Sequence, residues 1–192
     1  YGSGVASQVR DSLGDTDVDI VLFEGINVGD SDYSAVITKL KSINPDLIYF
    51  GGYHAELGLL LRQAREQDLQ TQFMGPEGVA NEDLVAIAGP AVADLLVTLP
   101  ADFTKLPGNE QILEHFKTYG RSPDGAFTMT AYAAVQILVA SIEAVGEDPD
   151  AVADYMHSNA FDTAIGKVEY DETGDLQEFE FAVFKWDENG EL

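Results

Sequence analysis

The chain has 192 residues, of which 45% are hydrophobic and 10% aromatic, enough for one globular domain or two small lobes and too apolar for a disordered or collagen-like polymer. Setting 10 Lys and Arg against 34 Asp and Glu leaves a formal net charge of −24, which repels nucleic acid and fits a solubilising, high-salt-tolerant surface. Cysteine is absent, so disulfides, thiol nucleophiles and thiolate metal sites are excluded.

Tyr1-Gly2-Ser3-Gly4 reads as a glycine-rich turn from a strand into a helix that carries Val5, Ala6, Val9 and Leu13 on one side. On this reading the chain begins inside a βα unit. No basic-then-apolar leader pattern stands at its start. Val18 to Phe23, rich in β-branched residues and closed by Glu24-Gly25, predicts a mostly buried strand. Tyr33, Val36, Ile37 and Leu40 share a helical stripe, with Asp30 or Ser31 as the expected N-cap and Asn44-Pro45 as the stop. Leu47 to Phe50 is a second strand, broken by Gly51-Gly52, and Leu57, Leu60, Leu61 and Ala64 mark the next helix. Gln72 to Met74 is a short strand ended by Gly75-Pro76-Glu77-Gly78. Asn81 is placed to cap a helix carrying Leu84, Val85 and Ile87 before Gly89, and Leu95 to Leu99 is a further strand. Alternation at this spacing implies right-handed crossovers and an α/β, doubly wound, largely parallel sheet.

After Pro100 the rhythm changes. Helical patterns follow around Ile112, Leu113, Phe116 and Tyr119, from about Thr128 to Val145, and from Asp150 to Ser158 with Val152, Tyr155 and Met156 inward. The middle one is apolar almost all round and needs cover on more than one side, yet no sheet to cover it is visible in this chain. Its longest nearly unbroken apolar stretch, Ala131 to Ala140, is shorter than the roughly 18 to 20 residues that span a bilayer. Gly166 to Tyr170 and Glu178 to Trp186 alternate with period two around Asp171-Glu172-Thr173-Gly174-Asp175, which reads as a turn in a β-hairpin or strand pair rather than a calcium loop. The expected organisation is one lobe at 1–100, part of a second at 101–178, and strand 179–192 returning to the first.

In an open parallel sheet, ligands sit beyond the carboxyl ends of the strands. That rule selects Tyr1, Tyr53 with His54, and Glu77. Two aromatics and a carboxylate suit a small ligand with an apolar part and an ammonium group, such as a free amino acid. A solvated turn residue at Glu77 and a surface aromatic at Tyr53 are the competing reading of the same pattern. His54, His115 and His157 are scattered, which argues against a zinc site, and no cofactor motif or nucleophile–base pair can be named. The chain is therefore read as non-catalytic and without cofactor or metal.

Several longer strings go further: Tyr49-Phe50-Gly51-Gly52-Tyr53-His54, Leu61-Arg62-Gln63-Ala64-Arg65, Thr71 through Val79, Tyr132-Ala133-Ala134-Val135-Gln136, and Asp171 through Phe184. Together with Glu24-Gly25-Ile26 and Asp32-Tyr33-Ser34 they resemble the periplasmic leucine/isoleucine/valine-binding proteins of bacterial ABC transporters. The resemblance implies a type I periplasmic binding protein with two Rossmann-like lobes that close over a branched-chain amino acid, of which this chain is roughly the C-terminal half. It implies Glu77 as acceptor for the ligand ammonium, Tyr1 and Tyr53 as aromatics closing over the ligand, and Phe127 as a wall of the aliphatic pocket from the other lobe. The implied partner is a membrane ABC permease and the implied location periplasmic. A sensor or receptor module of the same fold, recognising an amino acid or small amide, is the alternative. The full-length protein is expected to be a monomer, whereas a single half is expected to be marginal or to self-associate through its uncovered helix.

Overall fold

A computed structural model describes residues 1–123 and 125–192. The chain divides into two compact units, Tyr1–Leu99 with Val183–Leu192, and Pro100–Ala182.

The first unit opens with α1 (Gly2–Leu13), whose Val5, Ala6, Val9 and Leu13 stripe is half-buried. Next come α2 (Ser34–Ile43), β1 (Leu47–Tyr49), α3 (His54–Glu66), β2 (Gln72–Gly75), α4 (Asp83–Ala88) and β3 (Leu96–Pro100). The last strand of the chain, β6 (Phe181–Lys185), joins this sheet, whose order is β1-β2-β3-β6. β1 pairs parallel with β2, Leu47 opposite Gln72, and β2 parallel with β3, Met74 opposite Leu96. Just beyond β6, Trp186 donates its N–H to Leu95 O and accepts from Asp94 N. The central strands β2 and β3 alternate buried and half-buried residues, whereas the outer strands β1 and β6 show no fully buried residue. Alternate positions of a strand share one face, so Phe73 of β2 and Val97 and Leu99 of β3 are buried apolar positions of these strands. Around them Ile37 and Leu40 of α2, Leu57, Leu60, Leu61 and Ala64 of α3, Leu84 of α4 and Trp186 form one core.

Two expectations fail in this unit. Val18 to Phe23 is not a strand: it has no ladder partner among the described residues, and Val18, Ile20, Val21 and Phe23 are all exposed. β-branched composition supplies propensity, but a strand exists only by its neighbour's hydrogen bonds. Nor do Asp30 or Ser31 cap α2. Gln63 accepts from Tyr33 N and donates to Ser31 O, holding 31–33 out of the helix, so the helix starts at Ser34 with Tyr33 as N-cap residue and Asp32 accepting from Ser34 N. Asn81 does serve α4, accepting from Asp83 N, and Gly89 ends it at φ 58°.

The second unit holds α5 (Glu110–Thr118), α6 (Thr128–Val145), α7 (Pro149–Ser158), β4 (Phe161–Thr163) and β5 (Gly166–Val168). β5 pairs antiparallel with β4 and not with the last strand, so the expected pairing of Gly166–Tyr170 with Glu178–Trp186 is wrong beyond one bridge, Tyr170 with Leu176, that closes the Asp171–Asp175 turn. β4 had no signal in the sequence because three residues are too few for a period. Asn109, 5% exposed, ties the unit together by donating to Phe103 O and Ala164 O, both at 2.8 Å. Gln136 accepts from Ala164 N.

Along α6 the residues Met129, Ala133, Ile137 and Ser141 are buried at intervals of four, while Val135, Leu138, Val139, Ile142 and Val145 are exposed. The helix is 18 residues with mean hydropathy 1.4, long and apolar enough by those measures to cross a bilayer, so the shorter stretch read from the sequence understates it. Its buried stripe is the pattern of a core helix with one face uncovered.

Candidate functional site

Because β1 and β2 are parallel, their carboxyl ends share one edge of the sheet, and the loops that leave them meet there. Phe50, directly after β1, donates its N–H to Met74 O of β2 at 2.8 Å and holds the two loops side by side. From the first loop comes Tyr53, the N-cap residue of α3. The second contributes Glu77, which opens a single 3-10 turn, Glu77–Val79, closed by Val79 N to Pro76 O. Tyr1 stands at the start of α1.

These three side chains meet. The Tyr1 hydroxyl donates to Glu77 Oε1 at 2.6 Å, a length typical of an O–H on an ionised carboxylate. The rings of Tyr1 and Tyr53 stack with centroids 4.9 Å apart and planes 23° from parallel. Both tyrosines are about half exposed, at 49% and 51%, so the pair is an open platform rather than core. Glu77 Oε2 has no hydrogen-bond partner among the described residues. Burial, then the hydrogen bond and charge of Glu77, push the Tyr1 phenol well above its ordinary value, so it is a neutral donor throughout the physiological range.

Tyr49 belongs to this group and was not anticipated. As the last residue of β1 it is half-buried, and its phenol is pushed up by burial and then by the Glu77 carboxylate. Its place at the carboxyl end of a strand was the available signal. Tyr1 therefore bonds the carboxylate, Tyr53 stacks on Tyr1 and Tyr49 feels its charge, and the arrangement offers aromatic faces and a hydrogen-bonded negative charge, suited to a small cation with an apolar portion. Phe127 lies in the second unit, as the N-cap residue of α6, and is 49% exposed.

No group of three or more His, Cys, Asp or Glu side chains is placed to hold a metal among the described residues. A polar depression of about 390 Å³ opens at the other end of β2, between Arg65, Gln72 and Asp94. There Arg65 donates to Leu69 O and Thr71 O and Gln72 to Phe73 O and Asp94 O, so the polar groups are committed to the backbone.

A family model described as "Periplasmic binding protein" matches residues 1–191. The chain belongs to the periplasmic binding protein family. Among curated members, the Leu/Ile/Val-binding protein of Escherichia coli K12 is 46% identical over 190 residues, covering 99% of this chain and 52% of the relative. The leucine-, isoleucine-, valine-, threonine- and alanine-binding protein of Pseudomonas aeruginosa is 44% identical over 187 residues, 97% of this chain and 50% of the relative. This periplasmic binding protein chain thus spans about half the length of the curated relatives it matches. The crystal structure of a leucine-binding protein from Thermotoga maritima, 30% identical, superposes with TM-score 0.74 over 86% of this chain and 48% of that one. A branched-chain amino acid binding protein of Streptococcus pneumoniae in complex with isoleucine, 20% identical, gives 0.73 over 95% and 57%, a likeness of fold. The α/β lobe with its parallel-dominated sheet is that of the family.

Proposed function

We propose that this chain forms about half of a branched-chain amino acid binding protein, the non-catalytic, extracytoplasmic component that delivers leucine, isoleucine or valine to a membrane ABC permease. The observation that carries the reading is the convergence of Tyr1, Tyr53 and Glu77 at the carboxyl edge of the parallel strands. Glu77 would accept from the ligand ammonium while the stacked tyrosines cover the adjoining apolar part, and Phe127 is assigned to the ligand's aliphatic side chain. The relatives named for binding Leu, Ile and Val support the choice of ligand. The division of the chain after Leu99 and before Val183 supports reading residues 1–100 and 179–192 as one lobe and 101–178 as part of another.

Calorimetric titration of leucine into the full-length protein, with alanine and glutamate as controls, tests this. Leucine should bind much more tightly than either control. Isoleucine and valine should follow closely, because an apolar pocket separates ligands by only about 1–3 kcal/mol per methylene. Glu77→Ala should cost roughly 2–5 kcal/mol of leucine affinity if the bound ammonium is desolvated. Unchanged affinity in that variant would sink the assignment.

A further inference from the structure

Glycine is used in two ways in this chain. Gly29, Gly89, Gly108, Gly120 and Gly146 have φ from 58° to 99° and open space where a Cβ would stand. Gly2, Gly51, Gly52 and Gly78 are not in that left-handed region, so their backbones would accept an L side chain, but the space is taken. A Cβ on Gly2 would lie 2.5 Å from Gly51 O, one on Gly51 2.5 Å from Gly2 O, and one on Gly52 2.5 Å from the Phe50 ring. On Gly78 it would lie 2.9 Å from Tyr1 Cε1, 3.0 Å from the Tyr1 hydroxyl and 2.9 Å from Gly52 O. All four lie in the segments that bring Tyr1, Tyr53 and Glu77 together.

We propose that Gly78 is a positioning residue for the ligand cation: its bare α-carbon lets the Tyr1 ring close on the loop, so that the hydroxyl binds Glu77 Oε1 and leaves Oε2 as the unshared oxygen that faces a primary ammonium. A compact ammonium needs one well-aimed carboxylate oxygen, whereas a guanidinium fork engages both, and one of these already accepts from Tyr1. The inference rests on the reading of Glu77 as the ammonium acceptor.

The test is leucine titration into the full-length protein carrying Gly78→Ala, Tyr1→Ala, both together, or Glu77→Ala, each checked by circular dichroism. Gly78→Ala should weaken leucine roughly tenfold, the scale of one charged hydrogen bond misplaced. In the Tyr1→Ala background the same substitution should cost clearly less, because the ring it displaces is gone and only the approach to Gly52 O remains. Wild-type affinity in Gly78→Ala, or an equal loss in both backgrounds, overturns the proposal. Should Gly78→Ala alone not fold, a folded double variant supports the steric argument and an unfolded one overturns it. Undiminished leucine binding by Glu77→Ala brings down the underlying functional reading instead.

Discussion

Tyr1→Phe isolates the hydrogen bond on which the site is built, since the phenyl ring keeps its stack on Tyr53 and only the hydroxyl is lost. A hydrogen bond to a charged acceptor contributes about 1.5–3 kcal/mol when shielded. Tyr1 is 49% exposed, so water competes for both partners and solvent screens the charge, which brings the expected loss down to about 1 kcal/mol. Urea unfolding followed by far-UV circular dichroism should show a lower midpoint with an unchanged slope, the sign of lost stability without altered compactness. The pH dependence has a definite sign. The phenol ionises above its ordinary value of 10.0 in the folded chain, because of burial and then Glu77, so the contribution is complete below pH 10 and is lost as pH rises through the folded value. The gap between wild type and variant should be flat from neutral pH to about 9 and close above 10. Equal midpoints at pH 7, or a gap that widens on going alkaline, would refute the bond as a stabilising contact.

In the core of the first unit, Phe73→Ala should cost roughly 3–5 kcal/mol, because Phe73 is fully buried between neighbouring strands and helices and the cavity cannot refill; a loss under 1 kcal/mol in denaturant unfolding would contradict that packing. Asn109→Ala strands the Ala164 carbonyl and leaves Phe103 O only its bond from Leu106 N, and should lower stability by about 1–3 kcal/mol, with the loss confined to hydrogen-exchange protection in the second unit. Replacing Val135 and Val139 on the uncovered face of α6 by Ser should leave the melting temperature of the 192-residue chain nearly unchanged but reduce its self-association in sedimentation velocity; a marked destabilisation would show that this face is already covered. With a net charge of −24 and ion pairs that are all at least partly solvated, adding salt should raise the melting temperature through screening, with NaCl and KCl alike, and a flat or falling response would count against self-repulsion. On the acid side, Asp32, Asp102 and Asp171 are held below the ordinary carboxylate value of 3.8, chiefly by hydrogen bonds from Ser34, Thr104 and Thr173. Their contribution is present above that value and falls away as pH drops through the lowered folded-state value, so Asp171→Asn should destabilise the chain more at pH 6 than in strong acid, as read by thermal melts.

Local pattern was sufficient wherever an element is specified by its own residues. The stripes of α2 and α3, the apolar run of α6, and the short strands ending at Gly51 and Gly75 could be read directly, since periodicity and chain-breaking residues act within a few positions. The strand-edge rule likewise selected Tyr1, Tyr53 and Glu77 before any contact was known, because parallel topology follows from βα alternation and topology places the loops. Pairing was another matter. Val18 to Phe23 carries the composition of a strand without a partner, and the last strand leaves its sequence neighbour β5 to join β3, because hydrogen bonds between strands depend on residues far apart in the chain. The Gln63 side chain overrode the capping signals at Asp30 and Ser31 for the same reason. The glycines at 2, 51, 52 and 78 were invisible as site residues, since a glycine chosen for the space beside it looks, in sequence, like one chosen for its backbone freedom. Composition and periodicity thus determined the kind of fold and the edge that carries the site. Only tertiary structure decided which phenol reaches the carboxylate, because that depends on close approach between segments as far apart as residues 1 and 78.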